Sequence, residues 1–219
     1  MVPLAGGLRA GRSDGVVRRS AGRVPRPYFG ARPHAESEAP PRVLFDMPTP
    51  DHLVLWSTLS QLGAPVTMLT LCVANATSLI VRRERRAALA VILLQISGGL
   101  LDMTIKNIVK RPRPPGSDQL LHGFSYSFPS GHTMGATIGY GMLCYCVLQY
   151  TRLATPWRVV LTMVSVFVVL VIGTSRIQLG VHYRGDVVGG VAIGAAWLGL
   201  GVLLLRHVEA EQTAVPVMN

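Results

Sequence analysis

The chain has 219 residues, 49% of them hydrophobic and only 15% charged, with 21 Lys and Arg against 11 Asp and Glu. That is too apolar for an ordinary soluble domain, and the apolar residues fall in blocks long enough to cross a bilayer. The pattern also argues against nucleic acid as a partner, since basic residues are not interleaved with aromatics on a folded face, and against a disulfide framework, since Cys72, Cys144 and Cys146 all lie inside apolar blocks.

In chain order, residues 1–46 form an Arg-, Pro- and Gly-rich stretch without hydrophobic periodicity, which predicts disorder. It lacks the apolar core of a secretory signal. Met47 opens a compact chain at "MPTPDHLVLW", so 1–46 reads either as a tail or as sequence upstream of the true start. Residues 53–59 predict a short interfacial stretch. Five spans follow, at 59–81, 87–105, 134–150, 159–174 and 187–205, the third and fourth extending beyond their purely apolar runs. The expected fold is all-α: an integral membrane bundle of about five transmembrane helices occupying 51–206, with 207–219 as a short cytoplasmic tail.

The loops assign sides. The run Arg82, Arg83, Arg85, Arg86, then Arg152 and Arg158, then the stretch after Arg206 all lie on one side, which the positive-inside rule makes cytoplasmic. Loops 106–133 and 175–186 lie on the other. Five spans put the eight-arginine amino-terminal stretch on the non-cytoplasmic side, against that trend; a start at Met47 removes the conflict.

The polar residues gather in those two loops, in three clusters: "KNIVKRPRP" from Lys106, "SFPSGHTMG" from Ser127, and "SRIQLGVHYRGD" from Ser175. Each alone reads as snorkelling cations or a helix start. Together on one face they suit a tetrahedral phosphate. Lys106, Arg113 and Arg176 supply charge, the arginines with a fork that fits phosphate. Ser130 and the amides of Gly131 and His132 supply neutral donors at a helix amino terminus, and the glycine lets backbone approach an anion. If His182 and Asp186 share a helix, their spacing puts them on one face. The aspartate then holds one ring proton and leaves the other nitrogen as a nucleophile. His132 would protonate the leaving oxygen. No carboxylate cluster suggests a metal, so the expected chemistry uses neither metal nor cofactor.

Lys106-x6-Arg113-Pro114, Pro129-Ser130-Gly131-His132 and Ser175-Arg176-x5-His182-x3-Asp186 resemble, in order and spacing, the three-part signature of the type 2 phosphatidic acid phosphatase superfamily. The resemblance covers roughly 51–206. It implies that Lys106, Arg113, Ser130, Gly131 and Arg176 bind phosphate. It further implies that His182 becomes a phosphohistidine, that Asp186 orients it, and that His132 serves as acid and then as base for water. It also implies a cell-membrane helical bundle whose site faces the non-cytoplasmic side. The span count is similar to that of small bacterial members resembling undecaprenyl-pyrophosphate phosphatases. Asp102 is additional to the signature and reads as an ion-pair partner; Arg184 reads as a surface arginine.

Three functions fit these residues. One is hydrolysis of a lipid phosphate or diphosphate such as a polyprenyl diphosphate, phosphatidic acid or phosphatidylglycerol phosphate. Another is transfer of the same phosphoryl group to an alcohol. The third is non-enzymatic lipid transport, with Asn75, Gln95 and Asp102 lining a path.

Overall fold

The computed structural model describes residues 50–115, 117 and 125–214. Among them the regular elements are six α-helices, with no strand: α1 (Pro50–Gln61), α2 (Pro65–Val81), α3 (Arg85–Val109), α4 (Gly131–Tyr150), α5 (Thr155–Gln178) and α6 (Arg184–Ala214). Helices α2 to α6 fall at the five expected spans, except that the first, expected at 59–81, is broken between α1 and α2 and its opening residues belong to α1. The stretch 1–46 lies outside the described residues.

Local chemistry sets the boundaries. Pro65 and Pro156 occupy the first positions of α2 and α5, where a missing N–H costs nothing. α3 ends at Lys110, in a left-handed conformation, because the following Arg-Pro-Arg-Pro cannot continue a helix. α1 has 12 residues, about 18 Å of rise, too short to cross hydrocarbon alone. It packs against α5. α6 continues past Arg206 to Ala214, so the first residues of the expected 207–219 tail are helical.

Four stretches are long and apolar enough to span a membrane: Pro50–Val81, Arg85–Val109, Thr155–Gln178 and Arg184–Glu211. α4 falls short because it is the central helix, packed on α2, α3, α5 and α6. Its Thr133, Met134, Ala136, Ile138 and Met142 face protein rather than lipid. The lipid-facing side chains are on the outer helices, where Leu69, Leu100, Phe167 and Leu203 are exposed. Exposed apolar residues of this kind on every outer helix are what a bilayer solvates.

The helix ends sort into two groups. At one end Arg82 donates to the carbonyl of Tyr150 (3.3 Å) and the Tyr150 hydroxyl to Glu209 (2.6 Å), joining the α2–α3 turn, the end of α4 and the end of α6. At the other end lie the three polar clusters. The chain is a multi-pass membrane protein.

Candidate active site

The three clusters are stitched together mainly through backbone groups. Lys106 donates to the carbonyl of Pro129 (2.8 Å), and the Ser127 amide to the carbonyl of Arg111 (2.9 Å). The Ser130 amide donates to the carbonyl of Asp186 (3.0 Å), tying the start of α4 to the first turn of α6. Arg113 closes the ring, reaching the carbonyls of Ser125 (2.7 Å) and Val181 (2.9 Å). Sequence-distant loops are thus held at fixed positions over the bundle. The Phe128–Pro129 peptide between them is cis.

His182 sits where α5 turns back on itself. Gly180 has φ +67°, a left-handed conformation that glycine adopts without a Cβ clash, and the Val181 amide then returns to the carbonyl of Arg176 (3.2 Å). His182 therefore lies in the turn before α6, while Asp186 lies in the first turn of α6; they do not share a helix as the spacing suggested. They still meet, with Nδ1 of His182 3.5 Å from Oδ2 of Asp186. The opposite nitrogen, Nε2, faces Nη1 of Arg113 at 3.4 Å. Burial pushes the His182 imidazole below its ordinary pKa; Arg113 and Arg176 act in the same direction and Asp186 opposes them. The ring is accordingly neutral at neutral pH.

Asp186 has no solvent exposure and is heavily bonded. The Ser127 hydroxyl and the Tyr183 amide (2.9 Å) donate to Oδ2, and Arg111 donates to Oδ1 (3.1 Å) while stacking over the Tyr183 ring at 4.5 Å. Its place in the first turn of α6 adds the favourable end of the helix dipole.

Lys106, Arg113, Gly131, His132, Arg176 and His182 line one cavity of about 440 Å³. Ser130 and Asp186 do not line it; both are fully buried behind it. The Ser130 hydroxyl accepts from Thr133 (3.0 Å), and its carbonyl accepts from the Met134 amide (2.9 Å). Lys106 is held by Asp102 in an ion pair, and a Cβ at Gly131 would stand 2.9 Å from Oδ2 of that aspartate. A larger residue there would press on the carboxylate that holds Lys106. Arg184 is exposed at the start of α6.

Arg176 is buried, its Nη1 donating to the Ser60 hydroxyl of α1 at 2.7 Å, while Nε has no partner among the described residues. Ser60, Ser127 and Arg111 belong to no expected role. Ser127 and Arg111 lie inside the quoted motif stretches and could have been suspected from that proximity; nothing local in the sequence marks Ser60. Among the described residues no three His, Cys, Asp or Glu side chains gather as metal ligands would.

Comparison with known proteins bears on this arrangement. Phosphatidylglycerophosphatase B of Bacillus subtilis is 29% identical over 136 residues, 62% of this chain and 66% of that protein. Probable diacylglycerol pyrophosphate phosphatase 1 of Schizosaccharomyces pombe is 29% identical over 127 residues, 45% of this chain and 46% of that protein. The chain therefore spans just under two thirds and just under half of these relatives' lengths. The crystal structure of a transmembrane PAP2-type phosphatidylglycerolphosphate phosphatase from Bacillus subtilis superposes with a TM-score of 0.67. It shares 25% identity and covers 81% of this chain and 83% of that one. Aquifex aeolicus LpxE, at 22% identity and a TM-score of 0.53 over 70% of this chain and 86% of that one, shares the fold. The PAP2 superfamily model matches residues 69–208, more than half of the chain and all three clusters, and the protein belongs to that superfamily.

Proposed function

We propose that this protein is a membrane lipid phosphatase that cleaves a phosphate or diphosphate from a lipid through a phosphohistidine, with its site on the non-cytoplasmic side. The observation that carries the reading is the single cavity shared by Lys106, Arg113, His132, Arg176 and His182, which continues into an apolar channel along Met68, Leu69 and Ile96. A lipid needs both: cations for its head and hydrocarbon for its tail.

In the reaction, the phosphoryl group rests between Lys106, Arg113, Arg176 and the first amides of α4, where helix dipole and cations stabilise charge on its oxygens. Nε2 of His182 attacks phosphorus while Asp186 keeps the ring proton on Nδ1. The bond from phosphorus to the lipid oxygen breaks, and His132 delivers a proton to that oxygen. Water then attacks the phosphohistidine, giving its proton back to His132, and the phosphorus–nitrogen bond breaks to release phosphate. General acid–base help of this kind contributes about 10²–10⁴-fold. No step calls on a metal.

The test is phosphate release by purified protein in detergent. The panel is phosphatidylglycerol phosphate, phosphatidic acid, diacylglycerol pyrophosphate and a polyprenyl diphosphate, with no acceptor alcohol present. At least one should be hydrolysed, vanadate should inhibit as a five-coordinate mimic, and chelator should have no effect. His182→Ala should reduce release to background while remaining folded. Phosphate appearing only when an alcohol is added would make the protein a transferase, and a magnesium requirement would overturn the metal-free mechanism.

A further inference from the structure

The cavity extends well below the phosphate site. It runs between α2 and α3, and Leu69 and Ile96 on its wall are 63% and 58% exposed, opening it sideways to lipid. Gln95 stands in this lower part, half-buried. Its amide makes no hydrogen bond among the described residues. An amide at membrane depth is costly to leave unbonded, so Gln95 calls for a polar partner inside the channel.

Its depth can be measured along α4. Oδ2 of Asp102, which anchors Lys106, lies 2.9 Å from where a Gly131 Cβ would stand; Nε2 of Gln95 lies 3.9 Å from the equivalent point at Gly135. Gly131 and Gly135 are one helical turn apart, about 6 Å. The Oε1 atom points further down, 3.5 Å from the equivalent point at Gly139. The amide's donor is therefore on the side of the phosphate site and about one turn beneath it.

That spacing matches one class of lipid. In a glycerophospholipid the acyl-ester carbonyls sit five to seven covalent bonds from phosphorus, roughly 5–7 Å away at ordinary bond lengths. At the same distance a polyprenyl chain offers only carbon. We propose that Gln95 is a specificity-determining residue, donating from Nε2 to an acyl-ester carbonyl of a glycerolipid phosphate whose tails leave between α2 and α3. This rests on the phosphatase reading above and narrows its substrate. A site built to hydrogen-bond a substrate group discriminates against the analogue lacking it, because the protein's polar atom is then stranded.

The experiment compares kcat/KM for diacyl phosphatidic acid and its dialkyl ether analogue, which lacks both carbonyls, in the same mixed micelles. Wild-type protein should prefer the diacyl lipid by about tenfold, the effect of one hydrogen bond to a buried group. In Gln95→Leu the ratio should fall towards one, with Gln95→Met as a second apolar replacement of similar length. A wild-type ratio near one, or a preference retained in either folded variant, overturns the inference while leaving the phosphatase reading intact. Hydrolysis of neither lipid nor of any other in the panel would remove both together.

Discussion

The Arg176 guanidinium can meet a tetrahedral anion end-on through its two Nη groups or side-on through Nε and Nη2. The structure favours the second, because Nη1 is already committed to the Ser60 hydroxyl and Nε is buried without a partner among the described residues. Ser60 therefore acts as a positioning residue, fixing which edge of the fork faces the cavity. Its loss leaves a charged N–H without an acceptor, a cost of about 1.5–3 kcal/mol. Ser60→Ala should weaken vanadate inhibition and lower kcat/KM by about tenfold, whereas Ser60→Thr, which keeps the hydroxyl, should restore both. Equal effects of Ala and Thr would show that packing, not the hydroxyl, matters there. His182 yields a second expectation at this scale. In the proposed reaction its nucleophilic form is neutral, and burial lowers its pKa, so protonation should remove activity only at pH values below the ordinary imidazole range near 6.5. The acid limb of kcat/KM should fall in that lower region. Asp186 favours the charged ring, so Asp186→Asn should move the limb further towards acid while cutting the rate by about 100-fold or more. An upward movement would mean that the limb belongs to another group.

The helices show which parts of the fold the sequence carried openly. Apolar runs of bilayer length located α2, α3, α5 and α6, because lipid-facing helices must be greasy along most of their surface. α4 was located by a shorter apolar run, 134–150, because its neighbours shield it and relax the demand for hydropathy. Its contact with α6 depends on small residues. A Cβ substituent at Gly190 would lie 2.9 Å from the carbonyl of Ser130, and one at Gly194 would lie 3.0 Å from the carbonyl of Met134. The two backbones approach that closely because membrane helices gain stability from packing rather than from hydrophobic burial. Gly194→Leu should destabilise the protein by about 1–3 kcal/mol through overpacking, read as a lowered Tm in detergent. An unchanged Tm would show that α6 can shift away without cost. Contacts between distant polar residues were not legible. Ser60 on Arg176, and Ser127 on Asp186, leave no periodicity and no composition signal. The turn at Gly180 that takes His182 off the helix was likewise hidden, because one left-handed residue is enough to end the helix before its spacing pattern does.

For the whole molecule, the arginines and the site oppose each other along the bundle. Arg82, Arg83, Arg85, Arg86, Arg152, Arg158 and Arg206 cluster at the end where the α2–α3 turn meets the ends of α4 and α6. The other end also carries cations, several of them engaged, Lys106 with Asp102, Arg111 with Asp186 and Tyr183, Arg113 with Ser125 and Val181, while Lys110 and Arg184 are exposed. Positive-inside counting weighs the Lys and Arg of short loops near the ends of spans. The Arg-rich end should then be cytoplasmic and the cavity should face outward. Labelling can decide this, since Cys144 and Cys146 are buried and Cys72 is only partly accessible. In a background with all three replaced, Arg184→Cys places a thiol at the exposed start of α6, and Arg152→Cys places one in the α4–α5 turn. A membrane-impermeant maleimide applied to intact cells should modify the first, and should reach the second only after permeabilisation. The reverse pattern would turn the bundle over and require the lipid phosphate to be drawn from the cytoplasmic leaflet.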